Sequence, residues 1–157
     1  MKTLAENKKA YYNYEILERF EAGISLIGQE VKSIKSGRIS LRGSYVVLRQ
    51  SGKKGGSEVF LIGANVPAWQ PKNAPADYRP DRHRKLLLKK LEIKYLIGKS
   101  QQKGLTLIPL RMYTKKGKIK LEFGIAKGRK KVDKRELIKK RGVEREIRKA
   151  LKWGRLD

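Results

Sequence analysis

From Tyr12 onward the even positions Tyr14, Ile16, Phe20, Ala22, Ile24 and Leu26 are apolar and the odd ones mostly polar, with Glu18 the single interruption. A period of two is the mark of a strand with one face buried, so this stretch predicts a long half-buried strand with Glu21 facing outward. From Gly28 to Gly37 the spacing changes, with Ile27, Val31 and Ile34 falling three and four apart, which predicts a short amphipathic helix stopped by Gly37. Ser44 to Arg49 and Glu58 to Ile62 are β-branched and aromatic, and the Gly/Ser/Lys stretch between them joins two antiparallel strands. Asn65 to Pro80 contains four of the five prolines and little periodicity, so it reads as a surface loop anchored by Trp69 and Tyr78. Asp81 then caps an expected helical run through Leu86, Leu87, Leu88 and Leu91, continued by Ile93, Leu96 and Ile97. Leu105 to Met112 returns to strand character with a phase slip at Pro109, predicting a bulge or an edge. After a turn at Lys115-Lys116-Gly117, Ile119, Leu121, Phe123 and Ile125 alternate with Lys118, Lys120 and Glu122, the clearest strand signal in the chain.

Short strands with a few helices between them predict an α+β, mainly β fold: a small, partly open antiparallel barrel of the oligonucleotide-binding (OB-like) class with peripheral helices. It occupies residues 1–130. Residues 131–157 form a basic C-terminal tail with no linker before it. There Asp133 and Glu136 have capping-box spacing, and Val143, Ile147, Ala150 and Leu151 make one narrow apolar stripe among Lys and Arg, broken by Gly142. An isolated helix of that length is marginal in water and a central glycine costs about 1 kcal/mol more than alanine, so the tail is expected to be disordered when free and helical when bound.

Charge narrows the partner. The 157 residues include 40 Lys+Arg against 15 Asp+Glu, a formal net charge of +25. Self-repulsion on that scale costs stability and is most simply accounted for by a polyanion, with RNA ahead of an anionic membrane surface. No apolar run approaches the roughly 18 residues of a spanning helix, and residues 1–15 have no apolar segment like that of a signal peptide. A cytoplasmic protein is therefore expected. Without cysteine and with His83 as the one histidine, a zinc site of the usual ligands is excluded, and no cofactor is called for.

Gly98-Lys99-Ser100 resembles the end of a phosphate-binding loop, but Ile93 stands where that loop needs its first glycine. His83 lies between Arg82 and Arg84 with no matched nucleophile, and the carboxylates are scattered, so no acid–base pair is legible. The basic residues carry more information: Arg82, Arg84 and Lys85 crowd one segment, Lys118 and Lys120 project from the last strand, and Lys127, Arg129, Lys130 and Lys131 follow it. Singly each is an ordinary solvated charge; together, at this net charge, they point to RNA contact. Tyr11, Tyr12 and Tyr14 offer rings for base stacking, although Tyr12 and Tyr14 share the apolar phase and read as core first.

Six segments in order carry a resemblance: Asn7-Lys8-Lys9-Ala10, Phe20-Glu21-Ala22-Gly23-Ile24, Gly28-Gln29-Glu30-Val31-Lys32-Ser33, Ser44-Tyr45-Val46, Arg84-Lys85-Leu86-Leu87-Leu88, and Gly124-Ile125-Ala126-Lys127-Gly128 leading into Asp133-Lys134-Arg135. Over nearly its whole length the chain resembles the small protein B family, the SsrA-binding (tmRNA-binding) proteins of bacterial trans-translation. The resemblance implies a barrel that grips the transfer-RNA-like domain of tmRNA and escorts it to ribosomes stalled without a codon. It also implies a tail that folds as a helix in the empty messenger channel beside the decoding centre, with elongation factor Tu reached only through the tmRNA and the protein acting as a monomer. The family's tmRNA-contact positions fall on Glu21, Leu87 and Lys120, within an RNA-binding set that also takes in Lys32, Arg82, Arg84, Lys85 and Lys127. Gly128, Lys130, Lys131, Asp133, Lys134 and Arg135 carry over as the ribosome-engaging start of the tail. For Glu21 the competing reading is a strand-edge salt bridge, for Leu87 a core leucine, and for Asp133 a helix cap. The chain departs from the family in having Tyr12 where His is common, Arg79-Pro80 in place of Asp-Pro, and a glycine-rich insertion around Lys53 to Gly56. Two other functions compete, a general single-stranded-RNA or ribosomal barrel protein and, further back, a ribonuclease.

Overall fold

The computed structural model describes residues 1–50, 56–130, 134–143 and 145. Seven strands, β1 (Lys2–Glu6), β2 (Tyr14–Ile24), β3 (Tyr45–Gln50), β4 (Ser57–Ile62), β5 (Arg84–Leu87), β6 (Leu105–Lys115) and β7 (Lys118–Gly128), form one antiparallel sheet in the order β1-β6-β7-β2-β5-β4-β3. The sheet curls until β3 faces β6 across a cleft of about 250 Å³, with Val46 and Leu48 on one wall and Leu105 and Leu107 on the other. No ladder joins those two strands among the described residues, so the barrel is partly open. Helices α1 (Lys8–Asn13), α2 (Gly28–Lys35) and α3 (Lys90–Ser100) lie at its periphery, and a fourth helix, α4, covers 134–143.

The core is the inward face of the predicted alternation. Ile119, Leu121, Phe123 and Ile125 of β7 are all buried, and the rings of Phe20 and Phe123 stack 5.5 Å apart across β2 and β7. The slip in β6 is a bulge between Pro109 and Arg111, where proline has no N–H for the ladder. Asn7 closes it from the far side: its backbone N–H donates to Leu110 O at 2.7 Å and its side-chain amide to Pro109 O at 2.9 Å. The turn after β6 places Lys116 (φ 52°) and Gly117 (φ 75°) in the left-handed region, the two-residue geometry that matches the twist of a hairpin. Helix α2 ends as expected at Gly37 (φ 80°), with the Gly37 and Arg38 N–H groups donating to Ile34 O and Ser33 O, which satisfies carbonyls left open at the helix end.

A second bulge, in β2 between Ile16 and Glu18, lies against Gly124 of β7. A Cβ on Gly124 would stand 2.8 Å from both Glu18 O and Ile16 Cγ2, and a carbonyl cannot retreat as a flexible side chain can. Gly124→Ala is therefore expected to cost about 1–3 kcal/mol, the usual penalty for overfilling a packed site, read as a lower urea midpoint. An unchanged midpoint would show that the bulge yields freely.

Three expectations change. Lys8–Asn13 is helical, so Tyr12 belongs to α1 rather than to the strand phase, and β1 had no alternation to reveal it. Leu86 and Leu87 belong to a strand, β5, not to a helix capped by Asp81; the alternation is Arg84 buried, Lys85 exposed, Leu86 buried, Leu87 exposed, and a buried arginine disguises it. Pairing to β4 and β2 overrides the helical propensity of leucine. The helix begins only at Lys90, where Glu92 accepts the Lys89 N–H at 3.1 Å.

Candidate nucleic-acid interface

Strand register gathers residues far apart in sequence onto one outward face. In the β2–β7 ladder Glu21 stands opposite Glu122 and Gly23 opposite Lys120; on its other side Gly23 stands opposite Leu87 of β5. Because directly opposite residues on paired strands, and residues two apart along one strand, share a face, Glu21, Leu87 and Lys120 emerge together around Gly23. Gly23 keeps the floor between them low: a Cβ there would lie 3.3 Å from Leu87 Cβ and 3.7 Å from Lys120 Nζ. Leu87 is 54% exposed, an uncovered leucine at the centre of a cationic surface, which settles it as outward rather than core. The face opens into a cleft of about 400 Å³ edged by Lys35, Lys118 and Lys120, with Leu26 and Ile119 deeper.

Glu21 is held in place from β6, across β7. Its carboxylate accepts hydrogen bonds from the Tyr113 hydroxyl and from Lys115 Nζ, the latter at 3.3 Å. The Tyr113 hydroxyl, then Lys115, keep the Glu21 carboxyl below its ordinary range, while burial first and Glu21 second push the Tyr113 hydroxyl up. At neutral pH the pair is thus a charged acceptor with a protonated donor. The salt bridge read as the alternative for Glu21 is present, and an oriented carboxylate beside it still faces solvent. Beyond it Arg111 covers the buried Tyr113 ring at 4.7 Å and reaches Glu122 at 3.3 Å, and Glu122 meets the exposed Arg19 at 3.0 Å. Tyr113, Lys115 and Arg111 escaped the sequence reading because only the pairing of β6 with β7 and of β7 with β2 brings them beside Glu21 and Glu122.

The other predicted RNA contacts separate into two groups. Lys32 on α2 and Lys127 near the end of β7 are exposed. Lys85 is exposed too, and lies 3.4 Å from Glu58. Arg82 and Arg84 are different. Arg84 is fully buried, its Nε 2.6 Å from Glu30 Oε2 and its two terminal nitrogens donating to Ala64 O and Pro80 O. Arg82 donates to both oxygens of Glu30, at 2.6 and 3.2 Å, and to Ser25 O. Arg84 therefore has no surface to offer an RNA, and the expectation that it is a contact is corrected: it ties β5 to α2 and to the loop before β5. The alternation of β5 fixes this, since Leu87 can face outward only if Arg84 faces inward. Burial raises the pKa of Glu30, but the hydrogen bonds from Arg82 and the Ile27 N–H and the charge of Arg84 outweigh it, leaving the carboxyl below its ordinary range.

At the seam to the tail, Arg129 is clamped to the body, its N–H on Asn13 O at 2.9 Å and its Nε on Tyr14 O at 3.2 Å. Gly128 has an ordinary φ and open space where a Cβ would go, so nothing within the described residues requires a glycine there. Lys130 is exposed and its carbonyl accepts the Lys134 N–H, while Lys134 Nζ lies 5.7 Å from the centre of the Tyr12 ring. Arg135 is exposed; Lys131 and Asp133 lie outside the described residues. Helix α4 buries little, with Ile138 and Val143 about half exposed. His83 is exposed against Arg49, and among the described residues no group of three or more His, Cys, Asp or Glu is placed to hold a metal. No helix among them is long and apolar enough to cross a membrane.

Comparison with known proteins agrees with this geometry. The family model described as SmpB protein matches residues 4–153. An SsrA-binding protein of Cupriavidus taiwanensis is 47% identical over 153 residues, covering 98% of this chain and 99% of its own. One from Trichormus variabilis is 45% identical over 96% of this chain and 94% of its own. A solved structure described as "tmRNA-SmpB: a journey to the center of the bacterial ribosome" superposes with a TM-score of 0.62 at 42% identity, covering 81% of this chain and 85% of that one. With a partly open antiparallel barrel, an outward face uniting Glu21, Leu87 and Lys120, and a family match over nearly the whole length, the chain belongs to the SmpB family.

Proposed function

We propose that this protein is a non-enzymatic, cytoplasmic RNA-binding factor that holds the transfer-RNA-like domain of tmRNA on its β5–β2–β7 face and delivers it to stalled ribosomes for trans-translation. The observation that carries the reading is the convergence of residues 21, 87 and 120 on one open face, in a family whose members are named for binding SsrA RNA. An apolar side chain flanked by a fixed carboxylate and a lysine suits an unpaired loop: the lysine meets phosphate, Leu87 packs on a base, and Glu21 accepts from a base amino group or a ribose hydroxyl. Since the major groove of A-form RNA is too narrow for side chains, such loops are where sequence can be read.

The tail, residues 131–157, supplies the second half of this function by entering the empty messenger channel at the decoding centre and folding there as a helix on ribosomal RNA. The thin apolar surface of α4 supports this, because packing and not propensity stabilises most helices. Elongation factor Tu is engaged through the tmRNA, and the protein works as a monomer. A competition experiment tests recognition: labelled tRNA-like domain bound by the protein should resist displacement by an excess of unrelated structured RNA, and affinity should fall with salt at about −0.7 log units per phosphate contact. Equal displacement by any structured RNA would identify a general RNA-binding barrel instead.

A further inference from the structure

Leu87 has a second groove on its other side. Between β5 and α3 lies an open space of about 660 Å³ whose apolar floor includes Leu88, Ile93 and Ile97 and whose rim carries Lys85, Lys90 and Lys94. Leu87 lines both this groove and the cleft that holds Lys120, so the two flank the same exposed side chain. We infer that the β5–α3 groove seats unpaired nucleotides of the same RNA, bases on its aliphatic floor and phosphates on Lys90 and Lys94; the inference rests on the function proposed above.

The chemistry of the rim selects the occupant. Lys90 and Lys94 are four apart on α3, so they rise side by side on one face, both exposed and without an ion pair among the described residues. Lys85 is bonded to Glu58 at 3.4 Å, which also lines the groove, so three lysines less one glutamate leave a net charge of +2. A protein partner would favour a groove poor in lysine, since lysine is depleted from protein interfaces, whereas a cationic rim over an apolar floor is the arrangement that takes single-stranded nucleic acid. Helix α3 is shaped for this role: only Leu96 is buried, which leaves Ile93 and Ile97 half-covered at the groove.

The test is equilibrium binding of the full chain to a transcript of the tRNA-like domain, comparing the unsubstituted protein, Lys90→Ala/Lys94→Ala and Lys120→Ala over a salt series. Alanine preserves the helix, so the double variant stays folded. It should bind about tenfold more weakly, with a log–log salt slope shallower by about 1.4, two contacts at roughly 0.7 each. Crosslinking with 4-thiouridine-substituted transcript should place an adduct within residues 85–97. If Lys120→Ala weakens binding while the double variant does not, the groove is not an RNA seat and the inference falls while the function stands; if neither weakens it, the function proposed above falls with it. A double variant that binds the transcript normally but loses ribosome affinity would assign the groove to a ribosomal partner and overturn the inference.

Discussion

Replacing Glu30 by alanine should cost about 3–5 kcal/mol of folding stability, the usual result of leaving a buried guanidinium without its counter-charge. Arg84 has no exposure and pairs with Glu30 at 2.6 Å, so the loss strands a desolvated cation. Arg82, with about a third of its side chain exposed, can turn to water and contributes less. Against a typical total of about 5–15 kcal/mol this is a large fraction, measurable by urea or thermal unfolding. Replacing Glu30, Arg82 and Arg84 together by apolar residues of similar volume should restore much of it, because the penalty belongs to the unpaired charge. The same pair sets a pH dependence. Since the folded-state pKa of Glu30 is depressed, its contribution is fully present above the ordinary value of 4.5 and is lost as pH falls through the lower folded value. A Glu30→Ala protein as stable as the original would show that the network is incidental to the fold. In the folded chain the network holds β5 against α2, and hence Leu87 in position, so RNA affinity should fall along with stability.

Ending the chain before Asp133 should leave binding of the tRNA-like domain nearly intact and abolish peptide tagging on stalled ribosomes. The proposed contact residues Glu21, Leu87 and Lys120 lie on β2, β5 and β7, and the seam before the tail is held by Arg129, clamped on Asn13 and Tyr14. Among the described residues, none of helix α4 lines the cleft beside them. The described helix of the tail, residues 134–143, is cationic and weakly packed, and the function proposed above gives it the ribosome as its packing partner. Binding measured on purified RNA and tagging measured in a reconstituted translation system separate the two roles. Equal loss of both activities would contradict the division of labour between body and tail.

Much of this was legible in the residues because alternation is a local signal. The β2 and β7 strands, the helix ending at Gly37 and the irregularity at Pro109, read as a bulge or an edge, follow from spacing, and the hairpin of β3 and β4 from residue type. The failures at β5 and at the site share a cause: partners remote in sequence. Arg84 reads as a surface charge until Glu30, 54 residues away, is seen to bury it. Its inward orientation is also what turns the leucines after it from an expected helix face into a strand edge. Tyr113 and Lys115 became part of the site because they lie across β7 from Glu21, a relation no sequence window contains. The contact positions Glu21, Leu87 and Lys120 came from family resemblance; their convergence around Gly23 is something only the register supplies.

Amide chemical shifts of isotopically labelled protein, followed while the tRNA-like domain of tmRNA is titrated in, test the central claim most directly. The outward face of β5–β2–β7 is predicted to respond first and most strongly, at Glu21, Gly23, Leu87 and Lys120. Shifts confined to the β3 edge and the loop of residues 65–80, with those four amides unmoved, would contradict it.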